Sequence, residues 1–169
     1  MFLLGACDVK FNDVSLLTKG GSKVKLSEET QTVECDQYDA DVDEITTKIG
    51  IEADIPLTDY SIETLKSCIP GLRLVTDSED PTKKMLVMSG KVGGSKYAIA
   101  GTLVLIPRNT NIMMQLTIFK ASPKLNTELT FSKGEQSVTT VTFKGYVDQA
   151  TGDLWALGDT TAVDAGGGE

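Results

Sequence analysis

The fold class that the sequence predicts is mainly β: a single-domain sandwich or barrel with one short flanking α-helix. Three observations predict it. Apolar and polar residues alternate with period two over much of the chain, the alternating runs are bounded by Gly, Pro, Asn or Asp, and one segment alone breaks that period for helical spacing. The 169 residues are the size of one domain, able to bury roughly two-thirds of the unfolded chain's surface in one core. Residues 1–163 are therefore read as a single domain carrying an N-terminal arm (1–8) and a long loop (36–45). The Gly-rich tail 164–169 is too small and flexible to pack and is expected to fray.

In chain order, the first alternating run covers residues 23–35. The cleanest follows, with Ile49, Ile51, Ala53, Ile55 and Leu57 on one side of a strand and Lys48, Gly50, Glu52 and Asp54 on the other. Residues 61–69 then form the helix: Ser61 caps it, Glu63 sits in its first turn, Ile62, Leu65, Cys68 and Ile69 form an apolar stripe, and Pro70-Gly71 stops it. After a solvated loop at 76–84 rich in acid, further strands are expected at 85–92, 97–106, 112–120, 128–132 and 138–147, with Trp155 in a closing strand. Hairpin turns are expected at Gly93-Gly94, at 108–111 after Pro107, and at 133–136. Seven or more strands imply a sandwich or a barrel.

Charge narrows the partners. The formal net charge is −8, so tight binding of phosphate backbones over most of the surface is not expected. Acid is also concentrated: between Lys25 and Lys48 there is no Lys or Arg, while Glu28, Glu29, Glu34, Asp36, Asp39, Asp41, Asp43 and Glu44 all fall there. That stretch must face water or a cationic partner. Cys7, Cys35 and Cys68 are odd in number and widely spaced, so they are read as reduced small hydrophobes of a protein folding in a reducing cytoplasm. Met1 to Cys7 resembles a lipoprotein cleavage box only superficially, lacking a basic leader and having about four apolar residues where a signal needs roughly 7 to 15. No run approaches the roughly 18 apolar residues of a membrane span, and no membrane insertion is expected.

Motifs for chemistry fail on inspection. Asp39, Asp41 and Asp43 have the spacing that opens a calcium loop, but Glu44 and Gly50 stand where Gly and Glu would be needed. Gly90 to Lys96 has the composition of a phosphate loop in the wrong order, with a strand following where a helix is required. Histidine is absent, removing the commonest general base and metal ligand, and nothing pairs carboxylates on an apolar surface. No catalysis and no cofactor or metal are expected. Phe2, Leu3 and Leu4 are read either as a subunit contact or as an added edge strand of the domain itself.

Several stretches together resemble the major tail tube proteins of long-tailed, non-contractile bacteriophages. They are Gly5 to Val14 followed by Thr18-Lys19-Gly20-Gly21; Val33 to Tyr38 with the acidic loop through Val42-Asp43-Glu44; Ile49 to Leu57 leading to Ser61-Ile62-Glu63-Thr64-Leu65; and Val141 to Asp148 with Leu154 to Asp159. Their order along nearly the whole chain carries the resemblance, since each alone is a strand-and-turn pattern. It implies hexameric rings stacked into a tube that delivers double-stranded DNA without specific binding. It also implies assembly in the bacterial host cytoplasm, residence in the virion tail, and tape measure, tail terminator and distal tail proteins as partners.

Two residue sets follow as expectations. Tyr38, Val42 and Ile45, with the carboxylates of Asp39, Asp41 and Asp43, are placed at an inter-subunit contact together with Phe2, Leu3 and Leu4, because acid crowding and exposed apolar groups are both relieved by a partner. Lys48, Glu52 and Asp54 are placed on a lumen-facing strand face, where acid would repel DNA. Tube subunits of contractile particles or secretion tubes share the fold and are the near alternative. A β-sandwich module binding a small ligand or carbohydrate is the distant one.

Overall fold

A computed structural model describes residues 6–38, 40–108, 114–124 and 137–162. In chain order they form β1 (Cys7–Phe11), β2 (Val14–Leu16), β3 (Lys23–Val33), β4 (Asp43–Leu57), α1 (Ile62–Cys68), β5 (Leu72–Thr76), β6 (Lys84–Met88), β7 (Gly101–Pro107), β8 (Leu116–Pro123), β9 (Thr139–Tyr146) and β10 (Trp155–Leu157). The fold is mainly β with one helix, as the alternation predicts. Phe2, Leu3, Leu4, Asp39, the strand expected at 128–132, the turns at 109–111 and 133–136, and the tail 164–169 lie outside the described residues.

All pairings are antiparallel. One large sheet runs β2-β1-β7-β8-β9-β4-β3, with β10 on β8 beyond the end of β9, and β5-β6 make a separate pair. The large sheet curls until its ends meet. Directly after β2, the Lys19 N–H donates to the Pro56 carbonyl (3.1 Å), the Thr58 N–H donates to the Leu17 carbonyl (2.9 Å), and Thr18 bridges Leu57. The chain then turns at Gly20 and Gly21, whose φ of 98° and 84° only glycine adopts cheaply, and continues along the same edge of β4 as β3. One continuous stretch thus leaves β1 and joins β4, closing a barrel-like wall.

Period two decides what fills it. Ile51, Ala53, Ile55 and Leu57 of β4 are all at most 2% exposed, and they meet Val9, Phe11, Leu103, Ile118, Ala121, Val141 and Phe143 in one cluster. The Phe11 and Phe143 rings pack tilted at 4.9 Å between centroids. Helix α1 adds Cys68 to the same cluster. Its rotation differs from the expected stripe: Thr64, Cys68 and Ile69 are buried, whereas Ile62 and Leu65 are half-exposed. The cause is the cap. Asp59 accepts hydrogen bonds from the Ser61 N–H (2.9 Å) and the Thr64 hydroxyl (2.8 Å), and Ser61 Oγ accepts the Thr64 N–H (3.3 Å), which turns Thr64 inward.

Other boundaries also shift. Residues 96–99 form a turn rather than the start of a strand, because the Tyr97 hydroxyl accepts the Gln149 N–H (3.1 Å) and holds the chain against the segment following β9. Gly93-Gly94 joins no hairpin: β6 pairs with β5, and β7 pairs with β1 and β8. Strand β6 stops at Met88 short of the expected 92, β3 stops at Val33 short of 35, and β8 runs Leu116–Pro123 where 112–120 was expected. Strand β5 was not anticipated; it follows the helix stop with only five residues.

The closeness of the packing at β9 makes a test. A Cβ at Gly145 would lie 2.3 Å from Ile51 Cγ2 and 3.1 Å from Ile118 Cγ2, both in buried side chains. Gly145→Ala is expected to lower unfolding free energy by about 1–3 kcal/mol. Gly94→Ala, where nothing lies within 4 Å, should change it little. Urea denaturation of the two variants, read as a midpoint shift at constant slope, checks both.

Candidate assembly surfaces

Strand β4 has 15 residues, but β9 pairs only with its Glu52 to Leu57. Among the described residues its first half is hydrogen-bonded to β3 alone, so the two strands leave the barrel together as a ribbon. Burial follows the pairing: all eleven residues of β3 and the part of β4 through Ile49 are exposed, and the buried alternation starts only at Ile51. A bulge opposite Glu29 and Thr30 leaves Thr47 unpaired, and its hydroxyl donates to the Glu29 carbonyl (2.9 Å). Bulges increase local twist, and this one changes which β4 residues share a side with β3.

The ribbon's end is a tight loop, closed by the Val42 N–H on the Val33 carbonyl (2.9 Å) and the Tyr38 N–H on the Cys35 carbonyl (3.0 Å). The loop is therefore 34–42, displaced from the expected 36–45, since β3 stops at Val33 and Asp43, Glu44 and Ile45 belong to β4. Tyr38, Val42 and Ile45 are 68%, 52% and 55% exposed. Leu26 and Ile49, nearer the root, are exposed as well. Asp36, Asp41 and Asp43 take part in no ion pair among the described residues. Apolar groups and uncompensated acid thus share one protruding element, whose β3 edge is unpaired along its length among the described residues.

At the ribbon's root, β4 diverges from the segment between β9 and β10. The gap is an open groove of about 460 Å³ lined by Thr46 to Ile49, Val147, Gly152, Leu154 and Trp155. The segment behind it is folded by the Asp148 N–H on the Asp153 carbonyl and the Gly152 N–H on the Asp148 carbonyl, both 2.7 Å.

The expected lumen residues Lys48, Glu52 and Asp54 do share one side of β4, and each is in an ion pair. Lys48 pairs with Glu29 on the ribbon, Glu52 with Lys124, and Asp54 with Lys25 at 2.7 Å. The Thr142 hydroxyl also donates to Asp54 (2.7 Å). Hydrogen bonding to Lys25 and then to Thr142 holds the Asp54 carboxyl below its ordinary value, and the bond to Asp54 raises the Lys25 ammonium. Lys144 lies over the Tyr146 ring, 5.9 Å from its centroid. Lysines from β3, β8 and β9 therefore surround the two acids, a convergence that sequence reasoning missed because it depends on register between distant strands.

Among the described residues no three acidic or cysteine side chains gather as a metal would need, and no helix is long and apolar enough to cross a membrane. No protein-family model and no curated protein matches the chain.

The ion pair at Asp54 sets a pH dependence. With the Asp54 pKa lowered from 3.8, its stabilisation is present above that value and lost as pH falls through the folded pKa. With Lys25 raised from 10.5, its share is present below 10.5 and lost as pH rises further. Asp54→Asn should flatten both limbs of the stability profile, while Asp59, also lowered by its bonds from Thr64 and Ser61, keeps part of the acid limb. Thermal melts from acid to alkaline pH measure this.

Proposed function

We propose that this chain is a structural, non-catalytic tube subunit: a phage tail tube protein that forms stacked hexameric rings in the host cytoplasm and delivers genomic DNA from the virion. The observation that carries it is the ribbon of β3 and the first half of β4, two strands with no further partner among the described residues and apolar side chains at their end. A two-stranded ribbon is marginal alone in water, and an exposed edge of this length is a hazard unless it is covered. Contacts to a second copy satisfy both conditions, and a head-to-tail contact that closes makes a ring. The order of strand and turn motifs along the chain supports the tail tube assignment among ring-forming proteins.

The net charge of −8 supports a conduit that lets DNA slide. Glu52 and Asp54 are each answered by a lysine, so such repulsion has to come from other carboxylates. Tape measure, terminator and distal tail proteins are the partners that this assignment brings.

Tyr38→Ala and Val42→Asp test the contact. A buried aromatic anchor contributes about 2 kcal/mol or more, equivalent to roughly a 30-fold rise in the subunit concentration needed for assembly. Both side chains are exposed in the subunit, so its melting temperature should hold. Negative-stain imaging across a concentration series is expected to show rings or tubes for the wild type and their loss in both variants. Wild-type particles that stay monomeric with the partner proteins present would sink the assignment.

A further inference from the structure

The outer side of the barrel at β3, β4, β9 and β8 runs against the charge of the whole protein. Lys23 and Lys25 of β3 stand opposite Asp54 and Glu52 of β4, Glu52 stands opposite Lys144 of β9, and Lys120 stands opposite Tyr146. Lys124 follows directly after β8, its N–H on the Thr142 carbonyl at 2.8 Å. Five lysines face two carboxylates on this wall. Only Lys25 and Lys124 are in ion pairs; Lys23, Lys120 and Lys144 are in none among the described residues. The end of the ribbon is the reverse, with Glu34, Asp36, Asp41, Asp43 and Glu44 and no cation.

These two patches cannot neutralise each other within one subunit. The β3-β4 ladder separates them along the strand, and the length of β3 from the wall to Val33 is roughly 20 to 27 Å at about 3.4 Å per residue. That exceeds the Debye length of about 10 Å at 0.1 M salt, so the acid at the end does not feel its own wall. Two complementary patches, far apart on one chain, match when one copy's ribbon reaches the next copy's wall.

We propose that the lysine wall formed by Lys23, Lys120, Lys124 and Lys144 is the docking surface for the acidic ribbon end of a second copy of this chain. It rests on the assembly reading and names the surface that the ribbon meets. The contact is heterologous, since donor and acceptor are different patches, and so it propagates around a ring or along a stack. It also takes the face of Glu52 and Asp54 out of the lumen.

Charge reversal tests it on the full chain. Lys120→Glu/Lys144→Glu and Asp41→Lys/Asp43→Lys should each raise the concentration needed for assembly at least about tenfold, since each turns an attraction into a repulsion. Combining both pairs in one chain, or mixing the two variants in equal amounts, should restore assembly. Wild-type assembly should weaken between roughly 0.05 and 0.5 M salt. Thermal melts report whether each variant folds, and Lys120→Gln/Lys144→Gln is the milder version should the reversal not fold. If wall variants that fold assemble as wild type does, or the combined chain shows no rescue, the wall is not the acceptor while the tube assignment stands. Should the wild type not assemble, carbodiimide cross-linking of mixed light and heavy-isotope protein decides: inter-subunit links from residues 34–44 to Lys120, Lys124 or Lys144 support the wall, and their absence overturns it.

Discussion

Among the described residues, half of β4 has a strand on both sides and half has only β3, and the rest of the molecule is arranged around that mismatch. Between β3 and β9, the residues from Glu52 to Leu57 are locked by two ladders and send every second side chain into the core. Beyond β9 the same strand loses one ladder and its burial together, since a two-stranded ribbon has no third layer to pack on. The groove beside Trp155 is the opening between β4, which runs straight on, and the chain that turns away after Tyr146. Shortening the ribbon would leave the barrel intact; shortening β9 would strip the partner from Ile55 and Leu57 and open the core.

Charge follows the same division. On the barrel wall, lysines answer the carboxylates at close range, and Asp54 is bonded by both Lys25 and Thr142. Out on the ribbon, Lys48 answers Glu29, and beyond it the acid meets no cation among the described residues. Surface ion pairs contribute little to stability, typically about 0–1 kcal/mol, so the wall's excess of lysine is not explained by holding the barrel together. Electrostatic complementarity across contacts acts more on encounter rate and on the choice of partner than on affinity. The two unbalanced patches fit that role.

Period two made the strands of this fold legible. Ile51, Ala53, Ile55 and Leu57 alternate inward as read, while Ile49, read on the same side, is exposed where β9 no longer flanks the strand. The capped helix was legible too, although its stripe was not, because the Asp59 cap turns Thr64 inward where apolar spacing alone favours Leu65. Residues 97–100 have strand composition, yet a hydrogen bond from Gln149, distant in sequence, holds Tyr97 in a turn. Tyr38 and Val42 could be singled out as exposed from the crowding of acid around them. The lysine wall could not, since Lys23, Lys120 and Lys144 become neighbours only through the pairing of four strands whose register no local pattern encodes.

The barrel's closure gives the unpaired edges their meaning. Bonding of the segment after β2 to the end of β4 removes edges that the large sheet would carry if open, and among the described residues the longest edge it leaves free is where the ribbon departs. A free edge of Val, Leu and Thr would pair with any strand it met. Glu28 interrupts β3 midway along that edge, and acid crowds its far end, so two like ribbons brought together would repel. In the proposed assembly, a copy approaching ribbon to ribbon meets like charge, whereas one presenting lysines meets opposite charge. The same carboxylates that make the ribbon unfavourable as a self-pairing edge are the ones through which the proposed contact is head-to-tail, the geometry from which rings and stacks grow.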